Sequence, residues 1–252
     1  MKNNSFLKSV KNGKRLSGYA RILKKRDFGK MSFWKVRFCE DEIQLLVQKR
    51  SLNEYDEIKK IGLGSLIFIE GKKMVTKTEE PSIDVDFVRV EKEGSVVLQN
   101  KLSGINHLSK SGDRILDIIS SKNLFDYLLL ISRITREVRS FLEIKGFNEF
   151  STGILQKYFE GGQAEPFQTV CRNNGDPLYL SLTSELKLKR LMVAGFEKVY
   201  ELSQSFRNEG IDRMHLPEFT LLELYAVNQD YSDMMELIEQ MVCSILNGVG
   251  RG

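Results

Sequence analysis

The feature that most restricts the fold of this 252-residue chain is a series of five short apolar runs in its first hundred residues. They are Leu16 to Leu23, Ser32 to Phe38, Ile43 to Gln48, Leu66 to Gly71 and Val85 to Glu91. Each has the length and the β-branched and aromatic content of a strand. Asp27-Phe28-Gly29-Lys30 forms the turn after the first, with Gly29 at the flexible position. Between the third and fourth, Ser51 to Ile61 places Leu52, Tyr55, Ile58 and Ile61 at helical spacing. Five strands with one helix in that place are the layout of a small closed barrel of the OB type.

Charge adds a functional constraint. The net charge is only +4, yet residues 1–37 hold twelve Lys/Arg against Asp27 alone, a balance of +11, and the remainder carries −7. Such asymmetry points the N-terminal part toward a polyanion. Tyr19, Phe28, Phe33, Trp34 and Phe38 are interleaved with these cations. Cations that track phosphates and flat rings that stack bases are the ingredients of single-stranded nucleic-acid binding. Two histidines and three well-separated cysteines exclude a Cys-rich zinc site, a multi-His metal site and a disulfide framework. The longest aliphatic run, Leu128-Leu129-Leu130-Ile131, falls far short of the ~20 residues of a membrane span, and no apolar h-region follows Met1. A cytoplasmic location is the expectation, with the cysteines reduced.

Residues 92–120, with Gly94, Gly104 and Gly112, read as a polar connector, so the domain boundary is expected near residue 100. From Ser121 to Lys145, Leu124, Leu128, Ile131, Ile134, Val138, Phe141 and Leu142 recur at three- and four-residue steps, which predicts an amphipathic helix. Ser120 or Ser121 suits its start and Gly146 its end. Leu129, Leu130 and Ile144 lie outside that stripe and leave room for a second packed face. Leu178 to Leu182 reads as a strand, Ser184 to Val193 as a helix and Tyr231 to Leu246 as a final helix. Asp233, Glu236 and Glu239 fall on its solvent side.

Lys198 to Glu209 and Glu218 to Val227 are β-runs joined by Gly210 to Pro217, and as a hairpin they alternate side chains between two faces. Glu201, Ser203, Ser205 and Arg207 share a face of the first strand; Phe219, Leu221, Glu223 and Tyr225 line up on the second. One sheet face can thus present a guanidinium fork, an aromatic plane, a carboxylate and a phenol. These suit a nucleotide phosphate, its base and a cationic amine. On spacing alone, packing and a cross-strand ion pair are the more frequent origin of the same residue types.

The literal residues carry more. Phe206-Arg207-Asn208-Glu209-Gly210, then His215-Leu216-Pro217-Glu218-Phe219-Thr220, then Glu223-Leu224-Tyr225 resemble motif 2 of the class II aminoacyl-tRNA synthetases, and more narrowly of the lysyl-tRNA synthetases. Ser184 to Leu191 and Gly195 to Glu201 are similar to that family as well. The 121–155 region with Gly146-Phe147-Asn148-Glu149-Phe150 resembles motif 1. Gly29-Lys30-Met31-Ser32-Phe33, Ile43-Gln44-Leu45 and Thr76-Lys77-Thr78 resemble its anticodon-binding OB domain.

This resemblance implies an α+β protein: an OB-fold barrel over 1–100, then over 101–252 part of a class II synthetase antiparallel sheet flanked by helices. It implies a lysine–tRNA ligase that makes lysyl-adenylate from lysine and ATP with Mg²⁺, passes lysine to tRNA(Lys), and forms a homodimer through 121–155. Arg207 would grip the α-phosphate and the lysine carboxylate. Glu209 and His215 would contact ATP, and Phe219 would stack on adenine. Glu185, Glu223 and Tyr225 would hold lysine's ammonium groups, with Gly161 or Gly162 giving close backbone approach. Arg26, Phe33, Gln44 and Glu80 would read the anticodon.

Four departures stand out. No segment matches motif 3, the Gly248-Val249-Gly250-Arg251-Gly252 tail included. The family's Mg²⁺-binding acids have no counterpart, so no metal ligand is assigned. Gly153 takes a motif 1 proline position, which would loosen the dimer corner. Glu165 replaces an arginine beside the pocket. The expectation is a C-terminally truncated enzyme that binds tRNA but is weak or dead in lysine-dependent ATP–pyrophosphate exchange. A non-catalytic tRNA-binding relative and an aspartyl- or asparaginyl-type ligase are the alternatives.

Overall fold

The computed structural model describes residues 6–76, 79–94, 114–160, 164–212 and 214–250. They divide between two compact units, Met1–Ile131 and Ser132–Arg251. The boundary expected near residue 100 lies outside the described residues.

In the first unit a short helix, α1 (Phe6–Ser9), precedes β1 (Arg15–Phe28), β2 (Met31–Phe38), β3 (Asp41–Gln48), α2 (Tyr55–Ile58), β4 (Leu66–Val75) and β5 (Pro81–Lys92). The strands close into a barrel of order β1-β2-β3-β5-β4, with β4 returning to β1. Only β3 and β5 run parallel. Alternation turns Ile22, Trp34, Leu45, Ile67, Ile69 and Ile83 fully inward.

β1 is longer than its hydrophobic run. A bulge between Ile22 and Lys24 resets the register, after which Lys24 to Phe28 stay paired with β2. Ladder hydrogen bonds continue through residues whose polar side chains face water, so hydrophobicity alone ends the strand too soon. Conversely, the helix expected over 51–61 shrinks to the turn α2. Glu54 gives it no side-chain cap, and Leu52 and Ile61 reach the core from outside it.

Trp34 is closed on all sides. Its Nε1 donates to Ser32 Oγ at 2.7 Å, and that hydroxyl donates in turn to Asp27. The Lys25 ammonium lies 4.5 Å from the indole centroid and donates to the Lys59 and Ile61 carbonyls at 2.5 and 2.7 Å. Burial lowers its pKa, against the opposing pull of Asp27. Trp34 and Phe38, grouped above with the base-stacking rings, are therefore core. They alternate with the outward-facing Phe33, so they must point inward.

Part of the expected connector is helical: α3 (Arg114–Ser120) precedes α4 (Lys122–Ile144). Ser121 Oγ accepts from Leu124 N at 3.2 Å, the expected N-cap. At the far end Gly146 has φ +80°, while Gly146 N and Phe147 N donate back to the Glu143 and Leu142 carbonyls. That is a Schellman closure, and it needs a residue tolerant of left-handed backbone.

The second unit continues with β6 (Asn148–Glu149), β7 (Leu155–Gln156), β8 (Gln168–Val170), β9 (Pro177–Leu180), α5 (Glu185–Val193), β10 (Lys198–Phe206), β11 (Glu218–Ala226) and α6 (Tyr231–Gly250). Its main sheet runs β11-β10-β6 and a smaller one runs β7-β9-β8. Val138, Phe141 and Leu142 of α4 bury against Phe147, Tyr200 of β10 and Met241 of α6. The acids Asp233, Glu236 and Glu239 are exposed as expected, and so is an apolar stripe of Tyr231, Met235, Ile238, Val242 and Leu246.

Candidate functional site

β10 and β11 pair antiparallel with Ser205 opposite Phe219, Ser203 opposite Leu221, Glu201 opposite Glu223 and Val199 opposite Tyr225. Arg207 N donates to Pro217 O at 2.9 Å and extends the ladder by one step. Directly opposed residues share a face. Arg207, Ser205, Ser203 and Glu201 thus stand on the face that carries Phe219, Glu223 and Tyr225, the arrangement expected from the alternation.

The Arg207 guanidinium lies 5.1 Å from the Phe219 ring centroid. Its Nε and the Ser205 hydroxyl are buried without a hydrogen-bond partner, two of three such side-chain atoms among the described residues. Buried donors are normally satisfied, and an exception at a charged site marks a place for an acceptor that is not protein.

The acidic half is built around the start of α5. Glu223 accepts from Thr183 Oγ1 and from Ser184 N, each at 2.5 Å, so one carboxylate is fixed by both oxygens at a helix N-terminus. Glu185 accepts from Lys189 Nζ at 2.6 Å, and that ammonium lies 5.5 Å from the Tyr225 ring centroid. An ammonium already rests against two of the three groups expected to hold one. The Tyr225 phenol is pushed up to about 12 by burial and then by the charges of Glu223 and Glu185.

The expected ATP-contacting residues of the connecting loop are more dispersed. Glu209 is exposed. His215 faces Asp212, with Nδ1 at 2.9 and 3.0 Å from the two carboxylate oxygens. That contact, with the Met214 and His215 backbone N–H groups, holds the Asp212 carboxyl below its usual range. The Glu165 carbonyl accepts from Asn208 N at 2.8 Å, which pins the departure from the family pattern one residue beyond Arg207. Gly161 and Gly162 lie outside the described residues.

Three further groups gain their surroundings only from the fold. Glu201, 5% exposed, accepts from Thr152 N at 2.8 Å and Thr152 Oγ1 at 2.6 Å. Lys187 Nζ donates to Gly153 O at 2.5 Å and contacts Ser181 Oγ at 3.2 Å; burial lowers its pKa against the opposing charges of Glu201, Glu160 and Glu223. Ser205 is the third. Alternation placed Glu201 and Ser205 on the right face, but only tertiary contacts reveal that each is buried. Gly153 itself has φ +88°, a backbone that proline's fixed φ cannot adopt. A cavity of about 510 Å³ reaches from Gly153 and Glu149 to Glu201 and Ser203.

On the barrel, Arg26 is opposite Phe33, Phe33 is opposite Leu46, and Gln44 is opposite both Lys35 and Ser82. Arg26, Phe33 and Gln44 therefore share one outward face across β1, β2 and β3. Gln44 Nε2 donates to Ser82 Oγ at 3.0 Å. Glu80, exposed, ends the β4–β5 turn, where its N–H donates to Thr76 Oγ1 at 3.1 Å. Lys77 and Thr78 lie outside the described residues.

Comparison with known proteins matches residues 108–252 to the class II tRNA synthetases (D, K and N). A lysine–tRNA ligase of Dehalococcoides mccartyi (strain CBDB1) is 36% identical over 235 residues, 92% of this chain and 47% of that protein. Those of Psychromonas ingrahamii and Coxiella burnetii are 38% and 37% identical over 233 and 228 residues, covering 91% and 88% of this chain and 46% and 45% of theirs. The chain spans about half the length of the curated relatives it matches.

Proposed function

Since the chain belongs to the class II tRNA synthetases of the D, K and N group, we propose that it serves lysine–tRNA ligation. The proposal divides the chain into an anticodon-reading barrel, residues 1–100, and a lysine-activating region, residues 101–252. The hairpin face carries the reading: a guanidinium with an unsatisfied buried donor stands beside an aromatic plane, with two carboxylates and a phenol further along.

In the proposed reaction a carboxylate oxygen of lysine attacks the α-phosphorus of ATP, the bond to the bridging oxygen breaks, and pyrophosphate leaves. Arg207 donates to the α-phosphate and to the lysine carboxylate, drawing the two anions together and stabilising the charge that builds at phosphorus. Phe219 stacks on adenine, while Glu209 and His215 contact the nucleotide from the loop. Glu185, Glu223 and Tyr225 hold lysine's ammonium groups. Two carboxylates here suit a cationic side chain and would repel aspartate, which favours lysine among the three amino acids of the group. The 121–155 region pairs two copies. Free cysteines at 39, 171 and 243 suit a reducing cytoplasm.

The family's Mg²⁺ finds no holder among the described residues: no group of three or more His, Cys, Asp or Glu stands together as metal ligands. No step is assigned to it.

Titration calorimetry with ATP, and separately with lysine, tests the hairpin. Arg207→Ala should weaken ATP binding at least tenfold, as for loss of a charge-assisted contact worth about 1.5–3 kcal/mol. Unchanged affinity would overturn the assignment.

A further inference from the structure

We propose that Phe28 is a second base-stacking residue of the barrel, forming with Phe33 a two-ring seat for neighbouring bases of single-stranded RNA. The inference rests on the anticodon-binding reading of this face and adds a residue outside the family motif, one of five rings that the sequence pattern leaves undivided.

Of the five aromatic residues in the basic stretch, Trp34 and Phe38 are interior. Tyr19 packs edge-on against Phe68 of β4, at 5.3 Å between centroids, on a different pair of strands. Phe28 and Phe33 remain, 5.9 Å apart and inclined at 77°. Phe28 is 61% exposed, a large apolar ring left in water at the last residue of β1.

The backbone that carries the ring is nevertheless held. Phe28 pairs with Met31 across the turn, Gly29 takes φ +64°, and the buried Tyr55 fixes that turn from below by donating from its hydroxyl to Gly29 O at 3.1 Å. A ring placed in advance loses little conformational freedom when a base lands on it.

Its surroundings select the partner. Lys24, Arg26 and Lys30 flank the two rings, and none of them makes an ion pair among the described residues. The one acid in this segment, Asp27, is engaged by Ser32 Oγ. Exposed rings among unpaired cations complement bases joined by phosphates. Because the two rings stand nearly perpendicular, they receive successive bases that have already left each other's stack. That is the state of a single-stranded loop and not of a duplex.

The test measures fluorescence anisotropy of the full chain with a labelled anticodon stem-loop of tRNA(Lys), and with the same strand annealed into duplex. Phe28→Ala should weaken loop binding about tenfold, leave duplex binding unchanged, and leave thermal unfolding by circular dichroism unchanged. Phe28→Tyr should restore loop binding. A thiouridine-substituted loop should photocrosslink to the peptide carrying Phe28. If Phe33→Ala weakens binding and Phe28→Ala does not, this inference falls and the anticodon reading stands. If neither does, the anticodon reading falls with it. A Phe28→Ala change that alters self-association instead of RNA affinity assigns the ring to a second copy and also overturns the proposal.

Discussion

The barrel and the hairpin unit bury their apolar residues in opposite ways. In the barrel every strand has a neighbour on each side, and the inward positions of all five strands meet in one interior. In the second unit β11 has one partner among the described residues, the sheet is open, and the core lies between α4, β10 and α6. The outer stripe of α6 from Tyr231 to Leu246 stays exposed. A closed sheet spends its apolar positions on itself, so what it shows to solvent is charge and a few rings. An open sheet keeps one face for other business, and there Arg207 and Ser205 keep two of the three buried unpartnered polar atoms among the described residues.

The widest gap between the two regions should come from cavities. Ile69→Ala, in the sealed interior, should cost about 2–5 kcal/mol in urea unfolding. Leu142→Ala is equally buried but lies in the open unit, where neighbours have more freedom to close in. It should fall at the lower end of that range. Equal losses would break the comparison.

Glycine replacements should differ in sign. A Cβ on Gly71 would stand 2.3 Å from the Asp84 backbone oxygen and 2.7 Å from Ile83 Cγ2, at a bulge of the barrel. Gly71→Ala should therefore destabilise by about 1–3 kcal/mol. On Gly248 of α6 the nearest atoms to the Cβ all belong to the Glu137 side chain, its carboxylate oxygen at 2.6 Å, and that chain can swing away. There alanine's better helix propensity should leave the protein unchanged or up to ~1 kcal/mol more stable. Thermal unfolding of both variants checks the pair.

The last effect expected is alkaline. Burial, and then its hydrogen bond to Glu149 at 2.9 Å, push the Tyr200 phenol up to about 12. The unfolded chain releases that proton near 10. The folded state therefore holds more protons between these values. The stabilisation is complete below about pH 10 and is lost as pH rises toward 12. Tyr200→Phe should flatten that decline, and an identical slope would remove Tyr200 as its cause.

Much of this was legible in residue order. Hairpin alternation placed Arg207, Phe219 and Glu223 together, and Gly29 and Gly146 announced the turns in which each takes a positive φ. Other features lay beyond a linear pattern. The tail of β1 is held by pairing and not by apolar side chains, and β6 and β7 are two residues each, too short to show a period. Arg114 to Ser120 falls in the stretch read as a polar connector, yet it is helical and carries Ile115, Leu116, Ile118 and Ile119. Nothing in the residue order sets Lys187 and Lys189 apart from other helix cations. Only the fold brings one against Gly153 and the other against Tyr225.

Trp34 is the chain's single tryptophan, and it sits sealed in the barrel under the Lys25 ammonium. All indole emission from this protein therefore originates in one apolar chamber with a cation over the ring. Its spectrum reports the integrity of the barrel that encloses it. The same protein thus comes with an optical probe for one half and needs an added label to watch the other.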